Sequence, residues 1–200
     1  MKKKEVLMII LSIATIALVI IGIVIGKAPK SKIEVYTDIG KYEETLACED
    51  ANEKWSKWGM DESIWPEKIT DSMNVVDYKM VYYDPFDAQY LGYLVVEYNK
   101  ENYKKEVKRL KEYESTDYIG YYGVREEITY DLLAVYADPY YGFVYALTDG
   151  KNKIIYAEQI FCNYFMDLNY KEYMKEDYFL DGFNATPDND YRKRKMKENN

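Results

Sequence analysis

The chain has 200 residues, with 35 acidic and 27 basic side chains and no histidine. The lack of histidine excludes Ser-His-Asp and Cys-His catalysis, histidine-ligated zinc and the usual general base near neutral pH. The two cysteines, Cys48 and Cys162, are too few for a four-cysteine zinc site and too far apart for Cys-x-x-Cys redox chemistry. We therefore expect no cofactor and no metal.

The first predicted element is an uncharged apolar segment, residues 6–25, which begins at Val6 and ends at Ile25. As a helix rising about 1.5 Å per residue, it covers the roughly 30 Å hydrocarbon core of a bilayer. It exceeds the apolar core of about 7–15 residues that secretory signals use, and Pro29 directly follows the best cleavage candidate. We therefore expect an uncleaved transmembrane anchor over residues 1–27 and a juxtamembrane linker over residues 28–37.

The charges that flank the anchor give equal counts, with three lysines at residues 2–4 and three more at residues 27, 30 and 32. Because the amino-terminal segment is short and long domains translocate regardless of charge, we expect a cytoplasmic amino end and an extracytoplasmic domain. This single-pass layout resembles that of small proteins of bacterial envelopes. Gly22 and Gly26 have the Gly-x-x-x-Gly spacing of dimerising anchors, although small residues tolerated in a helix are the favoured explanation at this edge of the segment.

A single acidic domain is expected over residues 38–187. Residues 33–187 carry 31 acidic and 16 basic side chains, a net charge of −15. Such a field repels phosphate backbones, which argues against nucleic-acid binding, and it attracts cationic peptides or divalent ions. Acidity also simply keeps a domain soluble. Residues 188–200, which are rich in Lys and Arg, predict a solvated, disordered basic tail.

Helical periodicity predicts two main helices. The first begins at Asp38 as N-cap and ends at Gly59. The second runs from Asn99 to about Ser115. The apolar face of the first helix contains Ile39, Tyr42, Leu46, Ala47, Ala51, Trp55 and Trp58, and that of the second contains Tyr103, Val107, Leu110 and Tyr113.

Alternating apolar residues predict strands elsewhere. Residues 76–82 and 91–95 form a hairpin around the turn 84–87, and a short run covers residues 118–124. Three more strands follow at 130–137, 141–148 and 153–162, the last two joined by the loop 149–152. The whole predicts an α+β fold, with a transmembrane helix followed by one domain that has a mostly antiparallel sheet of about five or six strands.

A short repeat marks two of the turns. The sequence VYYDPF at residues 81–86 is echoed by VYADPY at residues 135–140. The echo indicates either a duplicated hairpin or two independent Asp-Pro turns.

Tyrosine is abundant, with 24 residues against six phenylalanines. Many lie at alternating strand positions, so we expect some to face solvent. Tyrosine offers contact area with a polar handle, which binding surfaces use, although a general compositional bias would also raise its count. The candidate binding residues at the turns are Tyr83, Phe86, Tyr90, Tyr140 and Tyr141.

These features predict a non-enzymatic binding module for a protein, peptide or glycan. One alternative is a carboxylate-based hydrolase of envelope polysaccharide, whose candidate carboxylates are Asp84, Asp87, Asp138 and Glu67. Another is an immunity-type protein that acts against a secreted toxin. Cys48 and Cys162 are either a disulfide or two buried free thiols.

Overall fold

The computed structural model describes residues 31–50, 53–126 and 129–198. The expected anchor over residues 6–25, including Gly22 and Gly26, lies outside these residues. Within them, no helix combines the length and the apolar character needed to cross a membrane. The chain divides into residues 1–31 and residues 32–200, and the fold below is that of the second unit.

An antiparallel sheet of six strands organises this unit, in the order β1-β2-β3-β6-β5-β4. Two α-helices accompany the sheet, so the expectation of an α+β fold with an antiparallel sheet is confirmed. The strands are β1 (Glu34–Tyr36), β2 (Met73–Tyr83), β3 (Gln89–Tyr98), β4 (Asp131–Asp138), β5 (Gly142–Thr148) and β6 (Lys153–Ile160), and the helices are α1 (Lys100–Lys111) and α2 (Asp190–Glu198).

Helix α1 forms where the sequence predicts it. The Asn99 side chain accepts hydrogen bonds from the backbone N–H groups of Glu101 and Asn102, at 3.1 and 2.9 Å, and so caps the first turn. Leu110 is fully buried against the sheet, while the opposite face carries charged residues. The apolar stripe therefore docks this helix on one face of the sheet.

Both faces of the sheet are covered. One face packs against α1 and residues 39–50 and 53–65, here called the N-terminal cover. The other face packs against residues 161–191, here called the C-terminal cover. Strands β3, β5 and β6 are consequently buried along almost their whole length.

The predicted first helix, from Asp38 to Gly59, is wrong. The described part of the N-terminal cover contains three one-turn 3-10 helices, Ile39–Lys41, Glu43–Thr45 and Lys57–Gly59. Lys57, Trp58 and Gly59 have φ values of 45, 57 and 72°, which a right-handed helix cannot contain. The apolar residues do face the core, but irregular chain presents them.

The expected disordered tail over residues 188–200 is also corrected, because residues 190–198 form α2. Its anchor is Tyr191, which is buried with its ring 4.8 Å from that of Tyr122. The Asn189 side chain accepts a hydrogen bond from the backbone N–H of Arg192, at 2.8 Å, at the start of the helix. The buried ring of Tyr191 and this hydrogen bond thus order residues 190–198, although their basic composition predicted a solvated tail.

The tyrosines of the central strands β3, β5 and β6 lie inside the protein, whereas the strand tyrosines that keep some exposed surface are Tyr36, Tyr82, Tyr83 and Tyr136. Tyr93, Tyr145 and Tyr156 are all less than 5 % exposed. Irregular covers leave backbone carbonyls without partners from regular secondary structure, and buried carbonyls need hydrogen-bond donors. Four buried tyrosine hydroxyls donate to carbonyls of the covers and of the adjoining loops and turns: Tyr42 to Pro66 at 2.5 Å, Tyr90 to Lys54 at 2.8 Å, Tyr122 to Pro139 at 2.8 Å and Tyr145 to Tyr178 at 2.6 Å.

The outer edge of β4 is occupied by the residues that follow α1. Thr116 donates its backbone N–H to the carbonyl of Val135 at 3.0 Å, and its hydroxyl accepts from the N–H of Ala137 at 2.5 Å. The Ser115 hydroxyl accepts from the N–H of Val135 at 3.1 Å. These contacts satisfy the outward-facing groups of an edge strand that would otherwise be open.

Candidate functional site

Three connections meet at one end of the sheet because the strands alternate in direction. The β2–β3 turn, the β4–β5 turn and the chain that leaves β6 all lie at this end. Both copies of the Asp-Pro repeat end here as well. We call the side chains that these connections and the N-terminal cover bring together the turn-end surface: Trp58, Phe86, Asp87, Tyr140, Tyr141 and Asn163.

Hydrogen bonds join the connections to one another. Asn163 donates from Nδ2 to Asp87 Oδ2 at 2.9 Å, and its Oδ1 accepts from the Tyr140 hydroxyl at 2.5 Å. Asp138 Oδ1 accepts from the backbone N–H groups of Tyr140 and Tyr141, at 2.7 and 2.9 Å. These bonds hold the turns in one arrangement.

Aromatic contacts complete the surface. Trp58 stacks on Tyr141, with ring centroids 5.9 Å apart and planes 16° apart, and donates its indole N–H to the carbonyl of Ala88 at 2.8 Å. Tyr140 packs edge-on against Tyr141 and against Tyr164, at 4.9 and 4.8 Å. The N-terminal cover therefore contributes a ring that bridges both turns.

Backbone strain concentrates at this end. Among the described residues other than glycine, five have a positive φ, and four of them are Lys57, Trp58, Asn163 and Tyr164. Such conformations cost about 1–3 kcal/mol each and persist only where surrounding contacts impose them. Here the contacts that impose them also position the exposed side chains.

The structure distributes the sequence-predicted binding residues unequally. Phe86 is 94 % exposed, and Tyr140 and Tyr141 are half-buried on the turn-end surface. Tyr83 is half-buried against the core beneath the C-terminal cover. Tyr90 is 1 % exposed and lies in the core, so it is not available to a ligand.

Sequence reasoning missed Trp58 as a surface residue because its apolar spacing assigned it to the buried face of a helix. It also missed Asn163, which follows the last predicted strand and has no motif around it. Each reaches the turn-end surface only through contacts with residues distant in the chain, so no local pattern could have identified it.

Both cysteines are free thiols, so the candidate disulfide is not formed. Cys162 is buried, as expected of a free thiol, but Cys48 is exposed. Burial, together with hydrogen bonding to Asp87, raises the pKa of Cys162 to about 12. This thiol is therefore protonated at neutral pH and is not a nucleophile.

The candidate carboxylates have structural partners. Asp138 holds its turn, Asp87 binds Asn163, and Asp84 accepts a hydrogen bond from the Tyr82 hydroxyl at 3.3 Å. Glu67 is exposed and lines a groove of about 290 Å³ beside α1. Within the described parts of the chain, no group of three or more acidic or cysteine side chains is arranged to hold a metal ion.

A pair of desolvated carboxyl groups lies elsewhere, in the core. Glu62 and Glu158 both form ion pairs with the buried ammonium group of Lys57. The Glu158 side chain has no exposed surface and that of Glu62 is 6 % exposed. A polymeric substrate cannot reach these groups.

The fold and the turn-end surface together define an acidic α+β domain with an aromatic end. No protein-family model, curated protein or solved structure matches the chain.

Proposed function

We propose that the domain is a non-enzymatic binding module whose turn-end surface holds a basic segment of a protein partner. The observation that carries the proposal is Phe86, whose side chain is 94 % exposed at the tip of a turn held by the Asp87–Asn163 hydrogen bond. Exposing a large apolar ring on an ordered support is unfavourable for a free protein. Burial of such a ring in an interface contributes about 1.5–3 kcal/mol.

The neighbouring rings support the same function. Trp58 is 37 % exposed, and Tyr140 and Tyr141 are half-buried, so each retains contact area and a polar group for a partner. Tryptophan and tyrosine are the residues most enriched at the energetic centres of interfaces. Because mutual stacking and hydrogen bonds already order these side chains, little conformational entropy is lost on binding.

Charge favours a basic partner. Asp84 and Asp87 flank Phe86, and residues 33–187 carry a net charge of −15. Complementary charge steers association and makes it sensitive to salt. An immunity-type role is one case of this proposal, in which the basic partner is a secreted toxin. A neutral glycan would bind the same rings without the salt dependence.

The sequence supports a location for this binding. The expected anchor over residues 6–25 would tether the domain to a membrane, and the short amino-terminal segment favours an extracytoplasmic domain. The module would then meet its partner outside the cytoplasm, next to the envelope.

The hydrolase alternative receives less support. It needs two accessible carboxyl groups, at least one of them desolvated, around a scissile bond. Glu62 and Glu158 are desolvated but closed to solvent, while Asp87 and Asp138 are engaged in holding the turns.

The test is a pull-down from envelope and secreted fractions. The full chain and its Phe86→Ala variant serve as the two baits. The matched control is Val76→Ala, because Val76 is 51 % exposed at the opposite end of β2. We expect one partner whose binding to the wild type and to the control is saturable. Added salt should weaken this binding. Its affinity for Phe86→Ala should be about tenfold to a hundredfold lower.

Two results would contradict the proposal. One is a saturable partner that binds wild type and Phe86→Ala equally. The other is the absence of a partner together with release of sugars from envelope polysaccharide by the purified chain.

A further inference from the structure

A fully buried lysine lies between two buried glutamates on the β6 side of the N-terminal cover. Lys57 Nζ is 2.9 Å from Oε1 and 3.0 Å from Oε2 of Glu158, and it forms an ion pair with Glu62 Oε1. The side chains of Lys57 and Glu158 have no exposed surface. Although Oε1 of Glu158 is close to the ammonium group, it accepts no hydrogen bond.

The local chain brings Lys57 and Glu62 together. Lys57, Trp58 and Gly59 adopt consecutive left-handed conformations, and this tight loop returns Glu62 to the side chain of Lys57. The backbone N–H of Ala47 donates to Glu62 Oε2 and fixes its orientation. The side chains of Lys57 and Glu62 are therefore held in contact within one chain. Such positioning raises the effective concentration of reacting groups by orders of magnitude.

The third group comes from the sheet. Glu158 lies in β6 opposite Gly92 of β3. A Cβ atom at Gly92 would lie 3.3 Å from Cγ of Glu158 and 2.6 Å from Cε of Met80, so glycine leaves the space that these side chains occupy. Trp55 and Trp65 close the site, with their rings 5.8 and 5.9 Å from Lys57 Nζ.

Burial disfavours the charged form of all three groups, although the two glutamates outweigh burial at Lys57 and raise the pKa of its ammonium group. Burial raises the pKa of Glu158 well above its usual value, and the nearby carboxyl group of Glu62 adds to this effect. Burial acts on Glu62 in the same direction, but Lys57 and Glu158 outweigh it and lower the pKa of Glu62. Moving charge out of water is costly, and a reaction that removes both charges relieves this cost.

We propose that Lys57 and Glu62 form an intramolecular isopeptide bond, with Glu158 as the proton carrier. The bond joins Nζ of Lys57 to Cδ of Glu62. This modification is independent of the binding function proposed above.

The reaction balances within the three side chains. Transfer of one proton from the Lys57 ammonium group to Glu62 gives a neutral amine and a neutral acid. The amine nitrogen then attacks Cδ, and the carbonyl oxygen takes the proton of Glu158. Glu158 next receives a proton from the nitrogen and delivers it to the hydroxyl group of the tetrahedral centre. The C–O bond breaks, water leaves, and the collapse of the tetrahedral centre returns a proton to Glu158.

Mass spectrometry of the purified full chain tests the proposal. We expect an intact mass lower than that of the sequence by the mass of one water molecule. Trypsin cannot cleave after an acylated lysine, so digestion of the denatured chain should give the uncleaved peptide of residues 55–68, lighter by one water. Fragmentation should locate the missing water between Lys57 and Glu62.

An internal control is the pair Lys54–Glu34, which has the same chemistry and a 2.9 Å separation but side chains that are 30 and 40 % exposed. Trypsin should cleave after Lys54 completely. Lys57→Met and Glu158→Gln should both have the full mass calculated for their sequences. The wild-type digest decides the question even where a variant fails to fold.

The result that overturns the proposal is a wild-type chain in which trypsin cleaves after Lys57. If water is lost at another site, such as an aspartate, trypsin still cleaves after Lys57. That result also overturns the proposal. A cross-link that persists in Glu158→Gln would overturn the role assigned to Glu158.

Discussion

The Tyr145 hydroxyl joins three elements of the core, and its removal gives the sharpest prediction about stability. Tyr145 lies in β5 and is fully buried. Its hydroxyl donates to the backbone carbonyl of Tyr178 in the C-terminal cover and accepts from Nε2 of Gln159 in β6, both at 2.6 Å. Tyr145→Phe keeps the ring and removes both bonds.

The size of the destabilisation follows from the polar groups that Tyr145→Phe leaves without a partner. The carbonyl of Tyr178 loses its tyrosine donor in a dry environment. The Gln159 amide, whose Oε1 already accepts no hydrogen bond, keeps only a contact of 3.5 Å with the Met174 sulfur. An unsatisfied buried polar group costs about 1–3 kcal/mol. We therefore expect Tyr145→Phe to lower the free energy of unfolding by about 2–4 kcal/mol.

Urea denaturation of the full chain in detergent, followed by circular dichroism, measures this change. The control is Tyr83→Phe, because Tyr83 is half-buried and its hydroxyl makes no hydrogen bond to another described residue. We expect the control to shift by less than about 0.5 kcal/mol. Equal shifts for the two variants would refute the claim that tyrosine hydroxyls join the covers to the sheet.

Three further predictions concern packing, the thiols and acid stability. In Gly92→Ala, the added methyl group meets the buried Met80 side chain at 2.6 Å, so urea denaturation should show a loss of about 1–3 kcal/mol; unchanged stability would contradict this packing. A maleimide should label the exposed Cys48 of the purified folded chain, whereas Cys162 should react only after unfolding; equal labelling of both in the folded chain would be evidence against the buried site. Burial raises the pKa of Asp149, but three backbone N–H donors outweigh it and lower the pKa below 3.8. Its stabilising contribution is therefore complete above pH 3.8 and is lost as the pH falls below that value. The stability difference between wild type and Asp149→Asn should shrink over that range, and a constant difference would contradict the assignment.

Strands β2 to β6 and α1 were predictable because their signals are local. The strand β1 was not predicted, and the run over residues 118–124 contains a one-turn 3-10 helix, Tyr121–Gly123, where a strand was expected. Alternation along residues 76–82, a turn at the Asp-Pro sequence and the cap at Asn99 each depend on a few neighbouring residues. The loop over residues 149–152 likewise joins two strands in register. In each case local propensity agrees with the final packing.

The covers were not predictable in the same way. The spacing of Tyr42, Leu46 and Trp55 fits a helix, yet irregular chain presents the same apolar residues to the sheet, with the backbone N–H of Cys48 donating to the carbonyl of Trp55 at 3.1 Å. Tertiary contacts, including the burial of Lys57 against Glu158, override local helical propensity there. The tail over residues 188–200 shows the opposite case, since one buried tyrosine orders a polar segment.

The candidate surface was predictable in part. Phe86, Tyr140 and Tyr141 lie on Asp-Pro turns, which the sequence marks. Trp58 joins them through stacking across the chain, which the sequence does not mark.

The closed edge at β4 limits how any partner can attach. A guest strand extends a sheet by exchanging main-chain hydrogen bonds with an unoccupied rim, and such pairing is largely indifferent to side-chain identity. Ser115 and Thr116 already use those groups on Val135 and Ala137. Addition of a guest strand at the β4 rim is thereby prevented.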